Sequence, residues 1–242
     1  MSVVLTLAKR EWSSLFFAPV AYAVIGLFGM GCGLVFLANF VPGQEASLRG
    51  VFDAIVWLLV FLVPSIGMKF ISEEISGGTI ERLMTLPVSE GQVVLGKWLA
   101  GMGFVAVLLA TLLLPIGILE VVAEPDYGPI VSGGVGLLLV GGLFVAVALF
   151  ASATTGSQVV AYMAAVFVNC GLTFVLFFVP QTQWARSLDP AVQATLQYGN
   201  VNRQFADFAK GLIDLRHFVY FLTGTALFLF GAVKLLESRR WR

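Results

Sequence analysis

The chain has 242 residues, of which 59% are apolar and 12% charged. A soluble domain carries about a quarter charged residues, so this composition excludes an ordinary soluble fold and points to a membrane bundle. Lysine plus arginine and aspartate plus glutamate balance at 14 each, which leaves no overall basic field to attract nucleic acid.

Residues 3 to 17 read as an amphipathic helix lying in the headgroup plane. Leu5, Ala8, Trp12, Leu15 and Phe16 share one face at helical spacing; Thr6, Lys9, Arg10 and Ser13 share the other. The uncharged run from Trp12 to Gln44 is too long for the apolar core of a cleavable signal, about 7–15 residues. Pro19 turns the chain into the bilayer. Six spans are expected, at about 18–40, 51–71, 92–122, 130–151, 158–179 and 217–236. Pro115 predicts a kink in the third. The cluster from Ser152 to Gln158 predicts the break between the fourth and fifth. Cys32 and Cys170 lie inside apolar runs and read as packing residues rather than a disulfide.

Between the second and third spans lies a polar island, Ser72 to Gln92, which cannot sit in hydrocarbon. Gly77-Gly78 breaks what precedes it. Thr79 is a good cap for a short helix through about Leu86, with Glu81 near its positive end and Pro87 as its stop. Ser89-x-x-Gln92 is a capping box that starts the third span at a defined point. Between the fifth and sixth spans, Asp189-Pro190 opens one short helix and Gly199 closes it; a second runs from Val201 to Lys210 and ends at Gly211.

Six spans place both termini on one side. With the termini and the island inside, nine lysines and arginines lie inside and five outside. That excess makes the island and both termini cytoplasmic. Small residues at Gly29 and Gly33 and at Ala161 and Ala165 allow close helix approach, mostly within one subunit.

No P-loop signature is present, so the chain itself has no such ATP site. There is no cluster with metal-ligand spacing, and no catalytic or cofactor-binding residue is assigned. The lone histidine, His217, reads as an interfacial polar residue. Intramembrane carboxylates are scarce, which disfavours an ion-coupled carrier and an intramembrane enzyme alike. Asn169, the main deep amide, reads as an interhelical hydrogen bonder.

Glu73-Glu74-x-x-x-Gly78-Thr79-Ile80-Glu81-x-Leu83-x-x-x-Pro87-Val88-Ser89, followed by Gly96-Lys97, resembles the cytoplasmic signature of type-2 ABC transporter permeases. Lys9-Arg10-Glu11 through Tyr22, and Gly211 through Phe221, resemble the gliding-motility and nitrous-oxide-reductase-maturation branch of that family. The resemblance implies an all-α integral membrane protein, one permease domain over residues 1–242. It implies an N-terminal interfacial helix carrying Lys9, Arg10 and Trp12, and short extracytoplasmic helices between spans five and six. The island would be a coupling helix, with Glu73, Glu74, Gly78, Thr79, Glu81, Arg82, Leu83 and Pro87 meeting a separate cytoplasmic ABC ATPase. Further partners would be the lipid bilayer and a second permease copy or a related permease. This chain would bind no cofactor; ATP and Mg would sit on the partner ATPase. The implied function is the permease subunit of an exporter in the inner or plasma membrane, or, alternatively, an assembly component that uses the ATPase for mechanical work.

Overall fold

The computed structural model describes residues 3–39, 48–79, 88–122, 125–183, 187 and 189–240. The protein is all-α: 87% is helical, and six helices are long and apolar enough to cross a membrane. They cover Pro19–Asn39, Arg49–Ser76, Glu90–Val122, Tyr127–Thr154, Gln158–Gln181 and Leu215–Arg239. Helix α1 (Val3–Phe17) precedes the first span, α2 (Pro19–Asn39).

Local chemistry sets most boundaries. The third span begins at α5 (Glu90–Ala110), where the expected capping box is formed. Ser89 Oγ accepts from the Gln92 amide at 3.3 Å, and Gln92 Oε1 accepts from the Ser89 amide at 3.1 Å. Asp189 accepts from the Ala191 amide at 2.8 Å at the head of α10 (Pro190–Tyr198), and Gly199 is its C-cap. Helix α11 (Val201–Ala206) runs into a 3-10 turn that ends at Gly211, whose φ of 89° is a left-handed conformation open to glycine.

One interruption answers to the expected kink, and one boundary differs from the sequence expectation. The third span is interrupted at Thr111-Leu112, before Pro115, and resumes as α6 (Leu113–Val122). Proline has no amide to donate, and its ring clashes with the carbonyl four residues back, here Thr111. The fourth span, α7 (Tyr127–Thr154), carries the helix through Ser152 and breaks only at Thr155–Ser157. Ser152 is buried and bonded to the second span, so it belongs to the packing and not to the loop.

Span four is the axis of the bundle. Its most apolar window is 72% buried, against 28% for span one and 22% for spans five and six. Spans two, three, five and six all pack on it. Glycines make the close approaches: a Cβ on Gly133 would stand 2.7 Å from the Phe52 ring, and one on Gly141 would stand 2.5 Å from Val105. Ala161 and Ala165 of α8 (Gln158–Cys170) are both buried, Ala165 beside Val147, Ala148 and Ala151 of span four, so this small-residue pair packs within the subunit. A Cβ on Gly29 or Gly33 would meet no described residue within 4 Å.

Asn169 departs from expectation. It is fully buried, yet neither side-chain polar atom has a hydrogen-bond partner among the described residues. A π-helical turn, Gly171–Val175, follows at once and leads into the short helix α9 (Leu176–Phe178), and Thr173 Oγ1 donates to the Asn169 carbonyl at 2.7 Å. The local backbone is thus satisfied while the amide side chain is not.

Candidate functional site: a buried ion cluster under the polar island

Helix α3 (Arg49–Gly67) ends against span four, where Gly67 meets Ala148. Met68 to Ile71 then form a turn that carries the chain into the five-residue helix α4 (Ser72–Ser76). The head of α4 has no cap from its own sequence. Ser152 of span four supplies one. Its hydroxyl accepts from the amides of Ile71 and Ser72, both at 2.9 Å, and donates to the Met68 carbonyl at 3.0 Å. Ser72 Oγ also donates to the Met68 carbonyl. The polar island therefore leaves the bundle from a fixed point, with its first amides satisfied in a dry setting.

Helix α4 projects Glu73 and Glu74 differently. Glu73 is exposed, and its carboxylate has no ion pair or hydrogen bond among the described residues. Glu74 turns inward and accepts from Lys97 Nζ at 2.8 Å. Lys97 lies in α5, with its side chain only 3% exposed. The same ammonium lies 3.3 Å from Glu11 Oε1, and Glu11 also pairs with Arg10 at 3.0 Å. The charges alternate along one line: Arg10, Glu11, Lys97, Glu74. A buried ammonium is tolerable only when it is paired like this.

Glu11 reaches the cluster because α1 lies in a groove on span three. A Cβ on Gly96 would stand 3.0 Å from Leu7, and one on Gly103 would stand 1.8 Å from the Trp12 ring. Glycines seven residues apart share one helix face, and here they admit the α1 side chains. Trp12 packs there with Phe16 at a ring separation of 5.3 Å, while Lys9 and Arg10 are exposed. Leu5, expected on the apolar face, is 52% exposed. The face that packs consists of Val4, Leu7, Ala8, Glu11, Trp12 and Leu15.

Beyond α4, Gly77 caps the helix and Gly78 has φ 65°, the left-handed conformation that breaks it. The doubled glycine has two separate reasons, since a Cβ on Gly77 would press to 3.1 Å from the Glu73 carbonyl oxygen. Thr79 Oγ1 donates to the Glu74 carbonyl at 3.4 Å. The expected helix through Leu86, with Glu81, Arg82, Leu83 and Pro87, lies outside the described residues.

The last span joins the same end of the bundle. Arg239 Nη2, in α12 (Leu215–Arg240), donates to the carbonyls of Ala153 and Thr154 at 3.2 and 3.0 Å. A cation on the last carbonyls of a helix satisfies orphan acceptors and opposes the dipole. The elements that reach this end are thus α1, the starts of spans one, three and five, and the ends of spans two, four and six.

The opposite end carries its own polar group. His217 Nδ1 lies 2.6 Å from Gln204 Oε1, and its Nε2 lies 3.1 Å from Asp207 Oδ2. Lys210 Nζ donates to Asp207 Oδ1 at 3.0 Å. The Lys210 hydrogen bond holds the Asp207 carboxyl below its ordinary value, with His217 adding to the effect and partial burial opposing it. His217 is therefore more than an interfacial residue: it ties span six to α11.

Of the residues expected to form the site, the structure brings Glu74 to the buried cluster and leaves Glu73, Gly78 and Thr79 on the exposed rim. Glu11, Lys97 and Ser152 are additions. The only sequence signal for them was that Glu11 and Lys97 fell within the strings Lys9-Arg10-Glu11 and Gly96-Lys97, which carry part of the family resemblance.

No curated protein matches the chain. The chain does match, over residues 14–233, the family described as ABC-2 family transporter protein. That stretch includes the first five spans, the polar island, the helices between spans five and six, and most of the sixth span. The chain therefore belongs to the ABC-2 transporter family, as a multi-pass membrane component of an ABC transporter.

Proposed function

We propose that this protein is the permease subunit of an ATP-driven exporter, and that the polar island is where a separate cytoplasmic ATPase grips it. The observation that carries this reading is the ion pair between Glu74 and the buried Lys97. It makes the root of the island part of the bundle, so a push on the island is delivered to span three and to α1 as a rigid-body displacement. Family membership supports a partner ATPase, which would supply ATP and Mg. Glu73, Thr79, Glu81 and Arg82 are proposed as polar contacts to that ATPase, and Leu83 as an apolar anchor stopped by Pro87. A second permease copy or a related permease would complete the pathway. The excess of lysine and arginine supports a cytoplasmic island and cytoplasmic termini in the inner or plasma membrane.

The test uses the complex reconstituted in vesicles. Gly78→Pro forbids the observed φ of 65° and re-aims the segment that follows. The expected result is a membrane-inserted variant whose partner ATPase is no longer stimulated and whose transport is lost. Full ATPase stimulation in this variant refutes the grip assignment.

A further inference from the structure

At the end of the bundle away from the ion cluster, a cavity of about 570 Å3 opens between spans two and five and the short helices α10 and α11. Asp53, Trp57, Phe177, Gln181, Asn202 and Arg203 line it. Two of these residues carry opposite charges, and neither neutralises the other. Asp53 has no ion pair or hydrogen bond among the described residues; the Lys210 ammonium, itself held by Asp207, reaches it only as a more distant charge. Arg203 has only a neutral partner there, since its guanidinium donates to Gln197 Oε1. Asp53 and Trp57 stand one helical turn apart on one face of α3. Trp57 packs on Phe174 at 4.1 Å and on Phe177 at 5.9 Å between ring centroids, which builds an aromatic wall beside the carboxylate.

From these features we infer that the cavity binds a zwitterionic phospholipid headgroup of the phosphoethanolamine class. A carboxylate beside an aromatic wall recognises an ammonium. A guanidinium recognises a phosphate by paired, charge-assisted hydrogen bonds. The cavity thus offers each charge of such a headgroup its opposite. The depth also suits a lipid. Asp53 lies 14 positions before Gly67 at the end of α3, roughly 21 Å at about 1.5 Å per residue, and the turn and α4 carry the chain on to Glu74, so the two carboxylates stand near opposite ends of span two. The cavity therefore lies at headgroup level in the leaflet opposite the ion cluster, whichever way the protein faces. Its apolar wall continues along span five, where an acyl chain would run. Helix α11 anchors the far side: Asn202 Nδ2 donates at 3.4 Å to the Thr173 carbonyl in the π-helical turn of span five. Headgroup binding would thus bear on the π-turn of span five.

Native mass spectrometry of the full chain in a non-ionic detergent tests this. The probes are a phosphatidylethanolamine, a phosphatidylglycerol of the same chains, and free phosphoethanolamine. The wild type is expected to retain phosphatidylethanolamine over phosphatidylglycerol by about tenfold. Asp53→Asn is expected to abolish that preference, and Arg203→Gln to weaken both lipids. Ala206→Trp keeps both charges but fills the cavity, and it is expected to displace lipid of either kind. Equal retention of the two lipids by the wild type overturns the inference, as does unchanged preference in all three variants. Competition by free phosphoethanolamine as strong as by the whole lipid replaces the lipid with a soluble zwitterion and overturns the lipid assignment.

Discussion

Replacing Lys97 by Met tests whether the buried cluster holds the island to the bundle. The ammonium lies 2.8 Å from Glu74 and 3.3 Å from Glu11. At an effective dielectric of about 20, those separations correspond to gross attractions of about 6 and 5 kcal/mol. Desolvating the lysine and two partly covered carboxylates costs several kcal/mol per ion and removes most of that gain. The net worth of the cluster against an apolar replacement is therefore small, but the cost of breaking it is not. Lys97→Met leaves two carboxylates facing each other, with Arg10 helping only Glu11, and should lose about 3–5 kcal/mol. Glu74→Gln leaves Lys97 paired with Glu11 and should lose less, about 1–2 kcal/mol. The triple variant with Lys97→Met, Glu11→Gln and Glu74→Gln removes both carboxylates left without the ammonium, leaves only the exposed Arg10 without its partner, and should recover most of the loss. Equilibrium unfolding in mixed detergent gives the free energies, and the deviation from additivity gives the coupling. If Lys97→Met changes stability by less than about 0.5 kcal/mol, or the triple variant is no better than the single, the cluster is not holding the segments together.

Three further perturbations probe other parts of the bundle. Asn169→Leu removes an amide that has no partner and keeps a similar volume, so it should stabilise the protein by about 1–2 kcal/mol in thermal unfolding; a loss of stability would show that the amide is satisfied after all. Gly103→Leu drives side-chain atoms into the Trp12 ring and should release α1 from span three, at a cost of about 1–3 kcal/mol. Limited proteolysis within residues 3–17 is expected to speed up, and an unchanged cleavage rate would contradict the groove. Asp207, with its folded value below its unfolded one, contributes stability that is complete above the ordinary carboxylate range and is lost as pH falls through the folded value. Asp207→Asn should flatten the fall in melting temperature below about pH 4, and an unchanged acid slope would show that Lys210 and His217 do not act through this carboxylate.

The readable features of the sequence were those whose physics is local. Span count follows from apolar length, and the Ser89–Gln92 box, the Asp189-Pro190 cap and the Gly211 stop each involve residues within four positions. Glu11, Glu74 and Lys97 are separated by as many as 86 positions, and their meeting depends on how α1 lies against span three. Lys97 was visible as one more cation on the inner side and as part of the Gly96-Lys97 match; its burial is a product of packing from three segments. Ser152 looked like a loop serine because a run of small polar residues follows it. Its neighbours in space, Met68 to Ser72, lie in another span. Asn169 was misjudged for the opposite reason: a deep amide usually finds a partner, and this one has none among the described residues. The segment from Ile80 to Pro87 was the most legible part of the candidate grip by motif, and its reading rests on that motif.

Span four is as apolar as the spans around it, yet lipid touches little of it. Acyl tails are no better and no worse a solvent for its side chains than protein is, so the hydrophobic effect does not draw it inward. What places it is fit: the notches at Gly133 and Gly141 exchange loose tail contacts for the fixed surfaces of Phe52 and Val105. A detergent replaces tails but leaves those surfaces in place. The four spans locked on this axis should therefore outlast extraction as one unit, and the first span, which leans on it least, should be the first to loosen.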